Sequence, residues 1–196
     1  MQSTSRSAVA ADSRILTRAA LAFLFAVGTA VCAQVSFRLW FSPVPVTLQV
    51  FAVILSGLAL GSRWGAISQL QYLALGAMGL PVFAEMKCGP LAFLGPTGGY
   101  LIGFVAGAYL TGLVFEHLRA RPGLAAWLGG IAGIAGIHLA GVAWLAVWLS
   151  FAESRPIHAC ALSALQLGCA PFVGIDLLKA ALASSMVLGG GMLQKR

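Results

Sequence analysis

Leu124–Ser150, LAAWLGGIAGIAGIHLAGVAWLAVWLS, runs for 27 residues without one Asp, Glu, Lys or Arg. A helix crossing the hydrocarbon core of a bilayer needs about 20 mostly apolar residues. This run is therefore long enough to span and to tilt. The rest of the chain has the same character: of 196 residues, 60% are hydrophobic and only 9% charged, with a mean hydropathy of +0.93. An ordinary soluble domain is about 45–50% apolar and about 25% charged. Too few polar side chains remain to cover a water-facing surface, which excludes a soluble enzyme. Disorder is excluded as well, because it requires low hydrophobicity. The implied solvent is a bilayer.

Outward from that run, the chain divides into six expected spans: Ile15–Phe37, Val46–Gly61, Trp64–Gly79, Thr97–Phe115, Leu124–Ser150 and Pro171–Leu193. Residues 1–14 are polar and small and are expected as a disordered cytoplasmic tail, leaving residues 15–196 as a single all-α transmembrane domain. Val31-Cys32-Ala33 before Gln34 resembles a signal-cleavage site, but the apolar spans that follow make an uncleaved first helix sufficient. Residues 38–45, RLWFSPVP, read as a loop broken by two prolines. Residues 151–170 read as a second long loop. Residues 80–96, punctuated by Gly and Pro, are too apolar for a water-bathed loop and are expected to fold back as a re-entrant or lid-like piece.

The net charge is +7, yet the cations stand singly between apolar runs, so nucleic acid is excluded as a partner. With six spans, Arg6, Arg14, Arg18, Arg63, Arg119, Arg121, Lys195 and Arg196 share one side, against Arg38, Lys87 and Arg155 on the other. The positive-inside rule then puts both termini in the cytoplasm. Cys32, Cys88, Cys160 and Cys169 form no C-x-x-C pair and have no His at zinc spacing, which argues against a metal site. Cys160 and Cys169 flank one expected loop; a disulfide there and free thiols are both open, with free thiols favoured. There is no G-x-x-x-x-G-K-[ST], G-x-S-x-G or H-E-x-x-H, so neither ATP binding by a P-loop nor those hydrolase chemistries are encoded.

Asp176 and Lys179 lie inside the last expected span. Each ionisable group costs about 2.5–3.5 kcal/mol at a helix centre on insertion scales. Three residues apart, they share a helix face, so a structural ion pair or snorkelling is one reading. A polar substrate site facing the bundle interior is the favoured one. His138 reads as a hydrogen-bonded helix histidine rather than a base, since no nucleophile partner can be named. Gly99, Gly103 and Gly107, and likewise Gly129 and Gly133, recur every four residues and are expected to pack helices closely. Ala22, Ala26 and Ala30 do the same in the first span, where internal packing and docking of a partner are equally open.

Four motifs then stand in order: Val44-Pro45-Val46-Thr47-Leu48-Gln49; Tyr72 to Ala84, YLALGAMGLPVFA; Gly95 to Phe104, GPTGGYLIGF; and Pro171-Phe172 followed by Asp176-Leu177-Leu178-Lys179. Together they resemble the BioY family, the biotin-binding S components of energy-coupling-factor (ECF) transporters. The resemblance implies a six-helix membrane protein of the bacterial cytoplasmic membrane that captures biotin from outside and needs no cofactor of its own. It implies docking on a transmembrane coupling protein that carries paired ATPases, in keeping with the missing nucleotide motif. It also favours Ala22, Ala26 and Ala30 as the docking face, and maps the family's acid and lysine onto Asp176 and Lys179.

Biotin's ureido ring offers two N–H donors and a carbonyl, which a carboxylate and an ammonium can complement. Tyr72, Phe83, Phe93, Tyr100 and Trp144 are candidates for the apolar wall. Thr47 and Gln49 are candidate hydrogen-bonding groups, and Lys87 a partner for the ligand carboxylate. Two stretches depart from the family pattern. Residues 84–89, AEMKCG, replace a small, Gly-rich stretch, and Gly174-Ile175 stands where a Pro-Gly turn is expected. Alternatives are an S component for another vitamin, or a small intramembrane enzyme using Asp176 and His138.

Overall fold

The computed structural model describes residues 2–190, with side chains from residue 13 onward. Among these residues there are seven α-helices: α1 Gln2–Gln34, α2 Gln49–Leu60, α3 Ser62–Ala77, α4 Gly98–His117, α5 Pro122–Glu153, α6 Ile157–Gly168 and α7 Ala170–Gly189. Four are long and apolar enough to cross a membrane: Ser13–Gln34 within α1, α4, α5 and α7. The expected extension of the last span to Leu193, and the terminal Lys195-Arg196, lie outside the described residues.

Three boundaries differ from expectation. Helix α1 begins at Gln2 and so takes in most of the stretch expected to be a disordered tail. No proline interrupts it and no glycine precedes Gly28, so nothing local stops a helix running back from the span. The second helix starts at Gln49 because Pro45–Thr47 (β2) pairs antiparallel with Ser36–Arg38 (β1), Phe37 opposite Val46. The stretch expected as a loop after α5 contains α6, whose Cys160, Ala164 and Gly168, four apart, form its buried face.

All four cysteines are free thiols. Cys160 lies within α6 and Cys169 at its C-terminal end. Nine residues of helix separate them by about 13 Å, beyond the roughly 7 Å limit between Cα atoms in a disulfide.

The glycine stripes pack α4 against α5 as expected. A β-carbon on Gly103 would lie 3.0 Å from the Ile137 carbonyl oxygen, and one on Gly107 would lie 2.6 Å from Ile137 Cγ1. From the other helix, a β-carbon on Gly129 would lie 2.7 Å from the Thr111 carbonyl oxygen. At the turn between α2 and α3, Glu116 from α4 accepts hydrogen bonds from Ser62 N (3.0 Å) and Ser62 Oγ (2.9 Å). A carboxylate at a helix N-terminus satisfies free N–H groups and complements the dipole.

The alanine stripe of α1 corrects an expectation. Ala22 and Ala26 are fully buried, and Ala30 packs against the core. Helix α1 lies on α3 and α2, and Thr29 on the same face receives a hydrogen bond from Gln69 Nε2 of α3 at 3.3 Å. The face expected to dock a partner is therefore taken up inside the bundle. The exposed side of α1 carries Leu16, Phe23, Leu24 and Val31 instead.

Candidate functional site

The end of the ribbon, the start of α2, the start of α4, the middle of α5 and the start of α7 converge on one pocket. Its apolar wall is built mainly from Val44, Val50, Phe83, Leu101, Phe104, Ile137 and Phe172. Its polar groups are Thr47, Gln49, Lys87, Thr97, Tyr100, His138, Asp176 and Lys179. Asp176 and Lys179, one helical turn apart on α7, meet at 2.7 Å through Oδ1 and Nζ. The second carboxylate oxygen, Oδ2, lies 2.9 Å from His138 Nε2 on α5. Asp176 is 3% exposed, and Lys179 and His138 are each 7% exposed. Buried charges persist only when paired and hydrogen-bonded, and both oxygens of Asp176 are engaged.

Of the residues singled out from sequence, Asp176, Lys179, Thr47, Gln49, Phe83, Lys87 and Tyr100 line this pocket. Tyr72, Phe93 and Trp144 do not, and each has a supporting role. Tyr72 is fully buried behind the wall; its hydroxyl accepts from Gln49 Nε2 at 2.6 Å and donates to the Val82 carbonyl at 3.2 Å. Phe93 meets Phe83 edge-on at a centroid distance of 5.5 Å. Trp144 donates its indole N–H to the Gly95 carbonyl at 2.9 Å and faces a separate groove with Leu94 and Trp148. An aromatic side chain near a site is as useful holding the wall as lining it. Among the polar lining groups, sequence reasoning placed neither His138 nor Thr97 at the pocket, although His138 is the hydrogen-bonded helix histidine it was read as. The signal for His138 was an imidazole in the middle of a charge-free span.

Residues 80–96 do fold back over the pocket, as two 3-10 turns, Ala84–Met86 and Pro90–Leu94. Phe83 is the anchor: it is 2% exposed, its ring meets Tyr72 edge-on, and Gly76 leaves room for it where any β-carbon would overlap the ring. Gln34 at the end of α1 holds the segment by its backbone, donating to the Phe83 carbonyl at 3.2 Å and accepting from Met86 N at 3.3 Å. Glu85 and Met86 both have left-handed backbones, with φ of 62° and 58°, uncommon for residues other than glycine. Glu85 is further held by an ion pair with Arg38 of β1 and by Lys87 at 3.1 Å. Lys87 thus reaches the pocket already paired with a carboxylate.

The Arg38 hydrogen bond, helped by Lys87, holds the Glu85 carboxyl down to about 2 against its usual 4.5. A depressed carboxyl contributes stability that is complete above its unfolded value and disappears as pH falls through its folded value. The difference in melting temperature between wild type and Glu85→Gln is therefore expected to stay constant above pH 4.5 and to close as pH falls towards 2. Thermal unfolding across a pH series measures it, and a gap that closes above pH 4.5 contradicts the pairing. Because Arg38 is mostly exposed, the gap itself is expected to be small.

Fold and site together define a multi-pass helical membrane protein with a buried polar pocket at one end of the bundle, beneath a folded-back segment. The sequence model of the BioY family matches residues 2–194. The chain belongs to the BioY family. It is 41% identical over 148 residues to the biotin transporter BioY of Thermotoga maritima, covering 74% of this chain and 80% of that one. It is 41% identical to the probable biotin transporter BioY of Pyrococcus horikoshii, over 83% and 89% of the two chains. The crystal structure of an S-component for biotin from an ECF-type ABC transporter matches with a TM-score of 0.75 and 26% identity, over 94% of both chains.

Proposed function

We propose that this protein is the biotin-capturing S component of an ECF-type uptake transporter, loaded from the outer face of a bacterial cytoplasmic membrane. The observation that carries the reading is the Asp176–Lys179–His138 cluster, set beside the apolar wall of the pocket. A carboxylate has about four lone-pair sites and an ammonium three N–H donors. Lys179 and His138 occupy two of the Asp176 sites, leaving two for the two N–H groups of a ureido ring. Lys179 keeps two donors for the ring carbonyl. Leu101, Phe104 and Phe172 offer the apolar surface a thiophane ring and valeryl chain need. Lys87, by exchanging Glu85 for the ligand, would take the carboxylate.

In this reading the chain crosses the membrane six times and α6 does not cross. The Tyr100 hydroxyl donates to the Gly168 carbonyl at 2.8 Å, and Ser42 Oγ donates to the Leu167 carbonyl at 2.7 Å. Those bonds tie the end of α6 to the pocket end, so α5 finishes and α7 begins on one side. With the pocket outside, both termini are cytoplasmic, and the distribution of Arg and Lys supports this. Having no nucleotide motif, the chain relies for energy on a transmembrane coupling protein and ATPase subunits.

The relatives named above are transporters, and His138 hydrogen-bonds to a carboxylate rather than to a hydroxyl or thiol nucleophile among the described residues, which disfavours an intramembrane enzyme. Competition against labelled biotin by a panel of vitamins tests the substrate. Displacement by compounds carrying the ureido ring alone is expected; displacement by an unrelated vitamin at equal potency contradicts it.

A further inference from the structure

We infer that His138 is a positioning residue for ligand recognition: from α5 it fixes the Asp176 carboxylate in the orientation that leaves its free lone pairs facing the pocket. The inference rests on the biotin reading of this site. Asp176 and Lys179 are three residues apart on one helix, so their contact forms however α7 is turned against the rest of the bundle. A lysine has a flexible four-carbon stem and three donors, enough to draw both carboxylate oxygens to itself. Instead Oδ2 is held at 2.9 Å by a ring on a different helix. An ionised carboxylate only accepts, so Nε2 carries the hydrogen and donates it.

The imidazole is itself held. Tyr100 meets it edge-on at a centroid distance of 6.1 Å, and Tyr100 is fixed by its hydroxyl bond to the Gly168 carbonyl at 2.8 Å. Gly141 leaves the space the Tyr100 ring fills; a β-carbon there would collide with it. Among the described residues His138 Nδ1 has no hydrogen-bond partner, so the polar tie of the ring is its Nε2 bond to Asp176. A run of stiff contacts thus leads from the end of α6 through Tyr100 and His138 to the carboxylate. With the imidazole gone, Oδ2 is a buried acceptor without a donor, Lys179 draws it, and the ligand N–H groups meet a turned carboxylate.

The test is calorimetric titration of purified protein with biotin. His138→Phe keeps ring volume and removes the donor; His138→Gln restores an amide N–H near the position of Nε2. Hydrogen-bond partners that orient metal ligands change affinity by about 10–100-fold; by analogy His138→Phe is expected to weaken biotin by a factor of that order and His138→Gln to recover most of it. In an Asp176→Asn background, His138→Phe should add little, because the group it orients is already altered. Overturning results are a His138→Phe protein that binds like wild type, a His138→Gln protein as weak as His138→Phe while both melt like wild type, or losses that add fully to Asp176→Asn. If His138→Phe does not fold, His138→Asn decides: too short to reach Oδ2, it must bind weakly, and wild-type affinity overturns the inference. Wild-type protein that binds no biotin contradicts the substrate reading itself, and this inference with it.

Discussion

Asp176→Asn is expected to weaken biotin binding by about two to three orders of magnitude, roughly 3–4 kcal/mol. Hydrogen bonds to a charged group are worth about 1.5–3 kcal/mol each, and the carboxylate has two places left for ligand donors. The amide keeps one acceptor oxygen and turns the other position into a donor, which faces the ligand N–H groups with the wrong polarity. Lys179→Met is expected to abolish binding by a different route. It leaves the Asp176 charge, 3% exposed, with His138 as its partner, and breaking a buried pair by removing one member costs about 3–5 kcal/mol. Its melting temperature should therefore fall along with its affinity. The double variant Asp176→Asn/Lys179→Met separates the two effects: with both charges gone, thermal stability should recover towards wild type while binding stays lost. Calorimetry and thermal unfolding read both. A single variant that binds biotin like wild type contradicts the site.

Gly133→Leu is expected to destabilise the fold by about 3 kcal/mol or more and to remove biotin binding with it. A β-carbon on Gly133 already stands 3.0 Å from the Gly107 carbonyl oxygen and collides with Thr111 Oγ1. Two of its nearest neighbours are thus on α4, one of them backbone, which cannot rotate away, so α4 and α5 must part. Overpacking costs about 1–3 kcal/mol where small shifts absorb it, and more where a helix seam opens. His138 lies just over one turn further along α5, so the same shift pulls its imidazole from Asp176. Gly28→Leu is the control: among the described residues nothing lies within 4 Å of a β-carbon there, and its melting temperature should stay close to wild type. Equal melting temperatures for Gly133→Leu and wild type contradict the close-packed seam.

The parts legible in the sequence are those set by local pattern. A charge-free run such as 124–150 has no stable home except a bilayer, and glycines every four residues pack helices whatever the fold. The Asp176–Lys179 pair was readable because so few charges lie inside spans. What sequence could not give depends on which helix faces which. His138 and Asp176 are 38 residues apart, and only the docking of α5 on α7 makes them neighbours. Tyr72, Phe93 and Trp144 were aromatic and close by, but residue type does not say on which side of a wall a ring stands. Ala22 and Ala26 form a smooth face that suits any close partner, and α3 took the place assigned to another protein. Helix α6, at 12 residues, was hidden in what composition marked as a loop.

The central claim is tested most directly by calorimetric titration of the purified, folded wild-type protein with biotin. A saturating isotherm with one biotin per chain and tight affinity, lost in Asp176→Asn, is the predicted result. A flat isotherm from protein that unfolds cooperatively on heating contradicts it.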